Sequence, residues 1–144
     1  MAESRYGHLI VEDLKYEPPM SPEYRKVYEK FSHRQLWIDS NIVPGAFQMN
    51  TAWYDATPEI DPIFAEHVHE SEEIIGFFSG DPSTREFDGL IQVIIDGEPH
   101  DLTRSAMIYI PSGVPHAIRV LKVTRPIFHF SVVTGKTYNN ASYG

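Results

Sequence analysis

From residue 35 onward the chain alternates short runs rich in Val, Ile, Phe, Tyr and Trp with clusters of turn formers. The runs are 35–39, 46–54, 63–69, 72–78, 90–95, 106–110, 116–123 and 127–133. Between them stand Pro44-Gly45, Asp61-Pro62, Gly80-Asp81-Pro82, Asp88-Gly89, Asp96-Gly97, Pro111-Ser112-Gly113 and Arg125-Pro126. β-Branched and aromatic side chains fill a pleated surface, whereas Gly, Pro and Asp interrupt it, so each run predicts a strand. Eight or nine strands at this spacing predict an antiparallel sandwich or barrel. Asp96-Gly97 tolerates positive φ at both positions, so the strand at 90–95 pairs with the one just after Gly97.

Only one stretch carries a helical period. Tyr24, Val27, Tyr28 and Phe31 fall at i, i+3, i+4 and i+7, with Ser21 as N-cap, Pro22 at the first helical position and Glu23 in the first turn. The aromatic stripe of this short helix is expected to pack on the sheet. Before it, residues 7–14 form an apolar patch suited to an edge strand or an arm, ended by Pro18-Pro19. Residues 81–89 make the longest polar connection in the sheet region, a cover for a pocket mouth or a merely solvated loop. The organisation that follows is an arm and helix over 1–34, a β-barrel over 35–136 and a polar tail over 137–144.

At 144 residues the chain has the length of one domain. Acidic residues outnumber basic ones 20 to 12, for a net charge of −8, which opposes nucleic acid or an anionic membrane as partner. There is no cysteine, which excludes disulfides, zinc–thiolate sites and thiol nucleophiles. Any metal must be held by nitrogen and oxygen. No basic segment followed by an apolar run opens the chain and no stretch approaches a membrane span, so a cytoplasmic protein is expected.

Chemistry concentrates in His67-Val68-His69-Glu70-Ser71-Glu72-Glu73 and in the distant Pro111-Ser112-Gly113-Val114-Pro115-His116. On a strand residues 67 and 69 point the same way, and 73 returns to that face if the strand runs on without a bulge. His116 closes the set once an antiparallel sheet folds the chain back. The reading is a site for one divalent metal made of His67, His69, Glu73 and His116, with Glu70 and Glu72 as alternative carboxylates.

These residues resemble the two conserved motifs of the cupin superfamily. His67-Val68-His69, Glu73 and Gly80 match the first, and Pro111-Ser112-Gly113-Val114-Pro115-His116 matches the core of the second. Asp61 and Ser105 stand where glycine is usual and Val120 where asparagine is frequent, all outside the ligand set. The resemblance implies an all-β, antiparallel jelly-roll β-barrel carrying a short N-terminal helix, and a single metal on the four named residues. It implies no substrate, since one fold hosts many reactions.

Imidazole and carboxylate donors suit Fe(II) as first expectation, with Mn, Ni, Co, Cu or Zn as alternatives. Such a centre points to an enzyme acting on a small, largely apolar or aromatic oxygenated molecule, first of all by Fe(II)-dependent dioxygenation. The alternatives are a non-redox lyase, isomerase or decarboxylase working through a metal-bound enolate, and a metal-containing binding or sensing module. Strand parity offers Phe47, Met49 and Trp53 as an apolar cavity wall. Gln48, Gln92, Arg119 and Tyr109 are candidates for orienting substrate, and His129 or Tyr109 for moving a proton. An apolar outer face holding Phe64, Val68, Phe128, Phe130 and Val132 predicts a homodimer.

Overall fold

The computed structural model describes residues 4–15, 20–59 and 64–135. Pro18-Pro19, Ile63 and the tail from 137 onward lie outside the described residues. The one α-helix among the described residues, α1 (Pro22–Phe31), begins where its cap chemistry dictates: the Ser21 hydroxyl accepts a hydrogen bond from the Tyr24 amide at 3.2 Å. Its aromatic stripe buries Tyr28 and Phe31, and Phe31 meets the core ring of Tyr54 at 5.9 Å between centroids. Burying a side chain of this size stabilises the fold by about 1.5–3 kcal/mol, which is what holds so short a helix in place.

Among the described residues nine strands follow: β1 (Ser32–Ile38), β2 (Gln48–Tyr54), β3 (Phe64–His67), β4 (Glu73–Ser79), β5 (Glu86–Ile95), β6 (Glu98–Arg104), β7 (Ala106–Ile110), β8 (His116–Lys122) and β9 (Ile127–Val133). They form a five-stranded sheet in the order β1-β2-β9-β4-β7 and a four-stranded sheet in the order β3-β8-β5-β6. The antiparallel jelly roll that the resemblance implies is present, as two facing sheets rather than a closed barrel. Between the sheets lie Ile75, Phe77, Phe87, Ile91, Val93, Ile110, Ile118, Val120 and Ile127. Asp96 (φ 49°) and Gly97 (φ 80°) make the tight β5–β6 turn with Ile95 opposite Glu98, as their tolerance of positive φ requires.

The register defines two ends. At one, Glu73 opens β4 opposite Val133 and Ile110, and His116 opens β8 opposite His67 and Ile95. At the other, Ser79 faces Ile127, Ser32 faces Tyr54, and α1 closes the sandwich with aromatic rings. The polar connection expected over 81–89 is shorter than its composition implies, because β5 already starts at Glu86. It also sits at the helix end, where Gly80 N–H donates to Pro126 O at 3.0 Å, so it does not cover the histidine end. Among the described residues no helix is long and apolar enough to cross a membrane.

Candidate metal centre

His67 is the last residue of β3 and pairs directly with His116, the first of β8, which brings their rings to 4.3 Å. His69 does not share a strand with them. β3 stops at His67, residues 68–72 cross irregularly between the sheets, and Glu73 begins β4 in the opposite sheet. Convergence therefore comes from this crossover and not from the alternation of one continuous strand. The crossover is fixed from outside: Gly113, at φ 77° in the turn before β8, donates its N–H to His69 O at 3.0 Å. A glycine suits that backbone because positive φ carries no Cβ clash there.

The ligand-type atoms of His67, His69, Glu73 and His116 all lie within 4.8 Å of one another. His69 Nδ1 donates to Ser71 O at 2.8 Å and His116 Nδ1 to Val114 O at 3.0 Å, so each ring turns Nε2 inward. Both Nε2 atoms approach the same oxygen, Glu73 Oε1, at 2.9 Å from His69 and 3.0 Å from His116. A neutral imidazole held through Nδ1–H presents only a lone pair at Nε2, and a lone pair against a carboxylate is repulsive. The contacts need positive charge between these atoms, either a proton on each ring or one shared cation. Two donors each about 2.1 Å from one ion and at right angles stand about 3.0 Å apart, which matches the observed separations. The donor set therefore fits a divalent ion.

Electrostatics agree. Burial alone would push the Glu73 carboxyl up, yet hydrogen bonds from His116, His69 and Ser131 hold it at about 2, so it is ionised at neutral pH. The hydrogen bond to Glu73 pushes the His69 pKa up against the effect of burial. The Ser131 hydroxyl donates to Glu73 Oε2 from β9, anchoring the carboxylate from its other side. Ser131 shares the parity of His129 and Val133 in β9, a signal available in the sequence that the reading of that strand through His129 alone passed over.

The expected cavity wall is corrected by β2. Its buried side chains are Gln48, Asn50, Ala52 and Tyr54, while Phe47 and Met49 are exposed and Trp53 packs edge-on to Phe128 at 5.0 Å on the outer face. Trp53 joins an aromatic layer on the outer surface that includes Phe78 stacked on Phe130 at 5.7 Å. Tyr109 also stands exposed on that outer face, beside Ile74, and its hydroxyl pKa is pushed up by a hydrogen bond to Glu72. Gln92 and Arg119 face away from the interior of the other sheet, linked as Arg119 to Gln92 at 2.6 Å and Gln92 to Asp101 at 2.8 Å.

His129 does face inward, but among rings. It lies between Phe77 at 4.8 Å and Tyr54 at 5.3 Å, with Nδ1 donating to Gly76 O at 3.1 Å. Burial lowers its pKa to about 4. Ala52 and Phe77 are its neighbours, four residues along β9 from the Glu73 row at Val133, about 13 Å at strand rise. The inner wall nearer Glu73 is polar instead: Ser131, Gln48 and Asn50, whose Oδ1 accepts from Arg34 at 3.0 Å.

No protein-family model and no curated protein matches the sequence. Among solved structures, an oxalate oxidase in complex with the substrate analogue glycolate superposes with a TM-score of 0.60 at 15% identity, covering 99% of this chain and 67% of that one. A recombinant oxalate oxidase in complex with glycolate gives 0.57 at 15% identity, covering 93% and 63%. An RmlC-like cupin from Shewanella frigidimarina gives 0.43 at 15% identity, covering 73% and 78%. The chain thus spans about two thirds of the length of the oxalate oxidases it matches. The fold is that of these oxalate oxidases, and the cluster of His67, His69, Glu73 and His116 could hold a metal ion.

Proposed function

We propose that this cupin is a mononuclear metal enzyme in which His67, His69, Glu73 and His116 hold one divalent ion. The observation that carries the reading is the convergence of two Nδ1-anchored imidazoles on a single buried carboxylate oxygen. When bound, the ion supplies Lewis acidity and, as Fe(II), the capacity to activate dioxygen. The chain's own part is to hold Glu73 ionised through Ser131, to fix both tautomers through Ser71 O and Val114 O, and to surround the centre with buried walls.

The reaction we favour is Fe(II)-dependent oxidation of a small oxygenated molecule. The polar lining by Gln48 and Ser131 supports a small polar substrate over the apolar or aromatic one expected from the sequence. A non-redox reaction with His129 as proton carrier finds no support, since that ring is stacked in the core. The test is anaerobic reconstitution with Fe(II) followed by oxygen-uptake assays across small hydroxy and keto acids and phenols. Uptake only in the iron-loaded wild type, abolished in His116→Ala, is the expected result. Absence of uptake with every metal and substrate would leave a binding or sensing module.

The protein is further proposed to act as a homodimer through the outer face of the five-stranded sheet. Met107 and Tyr109 are 68% and 54% exposed there, beside Ile74 and the Phe128, Phe130 and Val132 row. Val68, expected on the same face, stands instead in the crossover after β3, and the Phe64 side chain lies outside the described ones.

A further inference from the structure

The register lays out the outer face of the five-stranded sheet in rows that cross β1, β2, β9, β4 and β7 in turn. One row is Ile38, Met49, Val132, Ile74 and Tyr109, and the next is Leu36, Thr51, Phe130, Gly76 and Met107. At the β7 edge both rows end in a projection, Tyr109 and Met107 being the exposed residues there. At the β1 edge both rows end in a depression. This is an apolar groove of about 250 Å³ lined by Leu36, Trp37, Ile38, Met49, Thr51 and, from the N-terminal arm, Val11.

The same two rows thus carry a knob at one edge and a hole at the other. Four strand spacings of about 4.8 Å set these edges about 19 Å apart, so a chain cannot fill its own groove with its own β7. A second copy can. Packed sheets face each other about 10 Å apart with their strands within about 30°. A two-fold axis between the sheets and parallel to the strands keeps every residue at its level and exchanges the edges, laying β7 of one protomer over β1 of its partner. Such a contact is isologous, so knob meets hole twice. An axis across the strands would set β7 on β7 and leave both grooves empty.

We propose that the groove beside Val11 receives Met107 and Tyr109 of a second copy of this chain, about a two-fold axis parallel to the strands. This deepens the homodimer reading and rests on it. Methionine is unbranched and follows an irregular apolar wall, and Tyr109 can keep its hydroxyl on Glu72 while its ring is covered. The net charge of −8 opposes the approach of two copies, and no residue of the two rows is charged, so the contact adds no repulsion at its centre. The match of knob to hole over two shared rows singles out a copy of the chain as the occupant, since a single rotation satisfies both edges.

The chain has no cysteine, so thiols can be placed singly or in pairs. Full-length Val11→Cys/Met107→Cys is treated with a short bismaleimide beside each single variant, and all are sedimented with the wild type. The double variant is expected to give covalent dimer with the residue 11 and residue 107 peptides joined in mass spectrometry, and the single variants none. A second pair, Thr51→Cys/Tyr109→Cys, leaves Val11 and Met107 in place and is expected to link in the same way. A dimeric wild type with no link between protomers in either pair overturns the pairing and leaves the homodimer standing. So does self-linkage of Met107→Cys alone, which places β7 on β7. A wild type that sediments as a monomer overturns the homodimer and this inference together.

Discussion

Phe130 lies across Gly76: a Cβ added at Gly76 would stand 2.2 Å from Phe130 Cε1 and 2.6 Å from its Cζ. The two residues are register partners on the outer face of β4 and β9, and the ring is further held by stacking on Phe78. The glycine is there for closeness, to let a ring cover the strand. Gly76→Ala should destabilise the fold by about 1–3 kcal/mol in urea unfolding, the usual cost of overpacking. Combined with Phe130→Ala the penalty should be less than additive, because the second change removes the obstacle.

Glu73→Gln should lower metal affinity by about a hundredfold or more, measured by competition with a chelator. The substitution keeps the shape and hydrogen-bonding reach while removing the charge on which His69, His116 and Ser131 converge. Affinity equal to wild type would show that the carboxylate is not a ligand.

His129 sets an acid window. Its folded pKa is depressed from 6.5 to about 4 by burial, so between these values the unfolded chain binds a proton that the folded chain refuses. Stability contributed by the neutral ring is complete above pH 6.5 and is lost as pH falls toward 4, about 3 kcal/mol in all. Below that, Glu73, depressed from 4.5 to about 2, opens a second window of the same sign as pH falls through it. Urea midpoints measured on the protein at steps from pH 7 to 4 should fall, and His129→Phe should flatten the slope.

Met107→Glu should convert the proposed dimer to a monomer in analytical ultracentrifugation with little change in thermal midpoint. Met107 is 68% exposed in the single chain, so its folded state does not depend on that side chain. A variant that remains dimeric would exclude this face as the interface.

The helix and the strand positions were legible because local chemistry and packing agree there: Ser21 caps, Asp96-Gly97 turns, and Val, Ile and Phe runs alternate. That His67, His69, Glu73 and His116 gather into one cluster was legible as well, because their residue types are those that bind metals. What β2 hid was its facing. Both of its faces contain residues that a core accepts, so alternation alone could not say which was inside; Trp53 packs outward on Phe128, while Phe47 and Met49 stand exposed. Glu73 was reached through a parity argument whose premise fails, since β3 ends at His67. Its spacing within the first motif pointed to the same residue.

The division of the candidate ligands between sheets has a mechanical meaning. His67 and His116 belong to the four-stranded sheet and Glu73 to the five-stranded one, while at the opposite end α1 plugs the same gap with Phe31 against Tyr54. An ion would thus act as a rivet at one end of a sandwich whose other end is already glued. Removing it should loosen the molecule asymmetrically: amide exchange should quicken in β3, the start of β4 and the start of β8, while α1 and the Tyr54 end of β2 keep their protection.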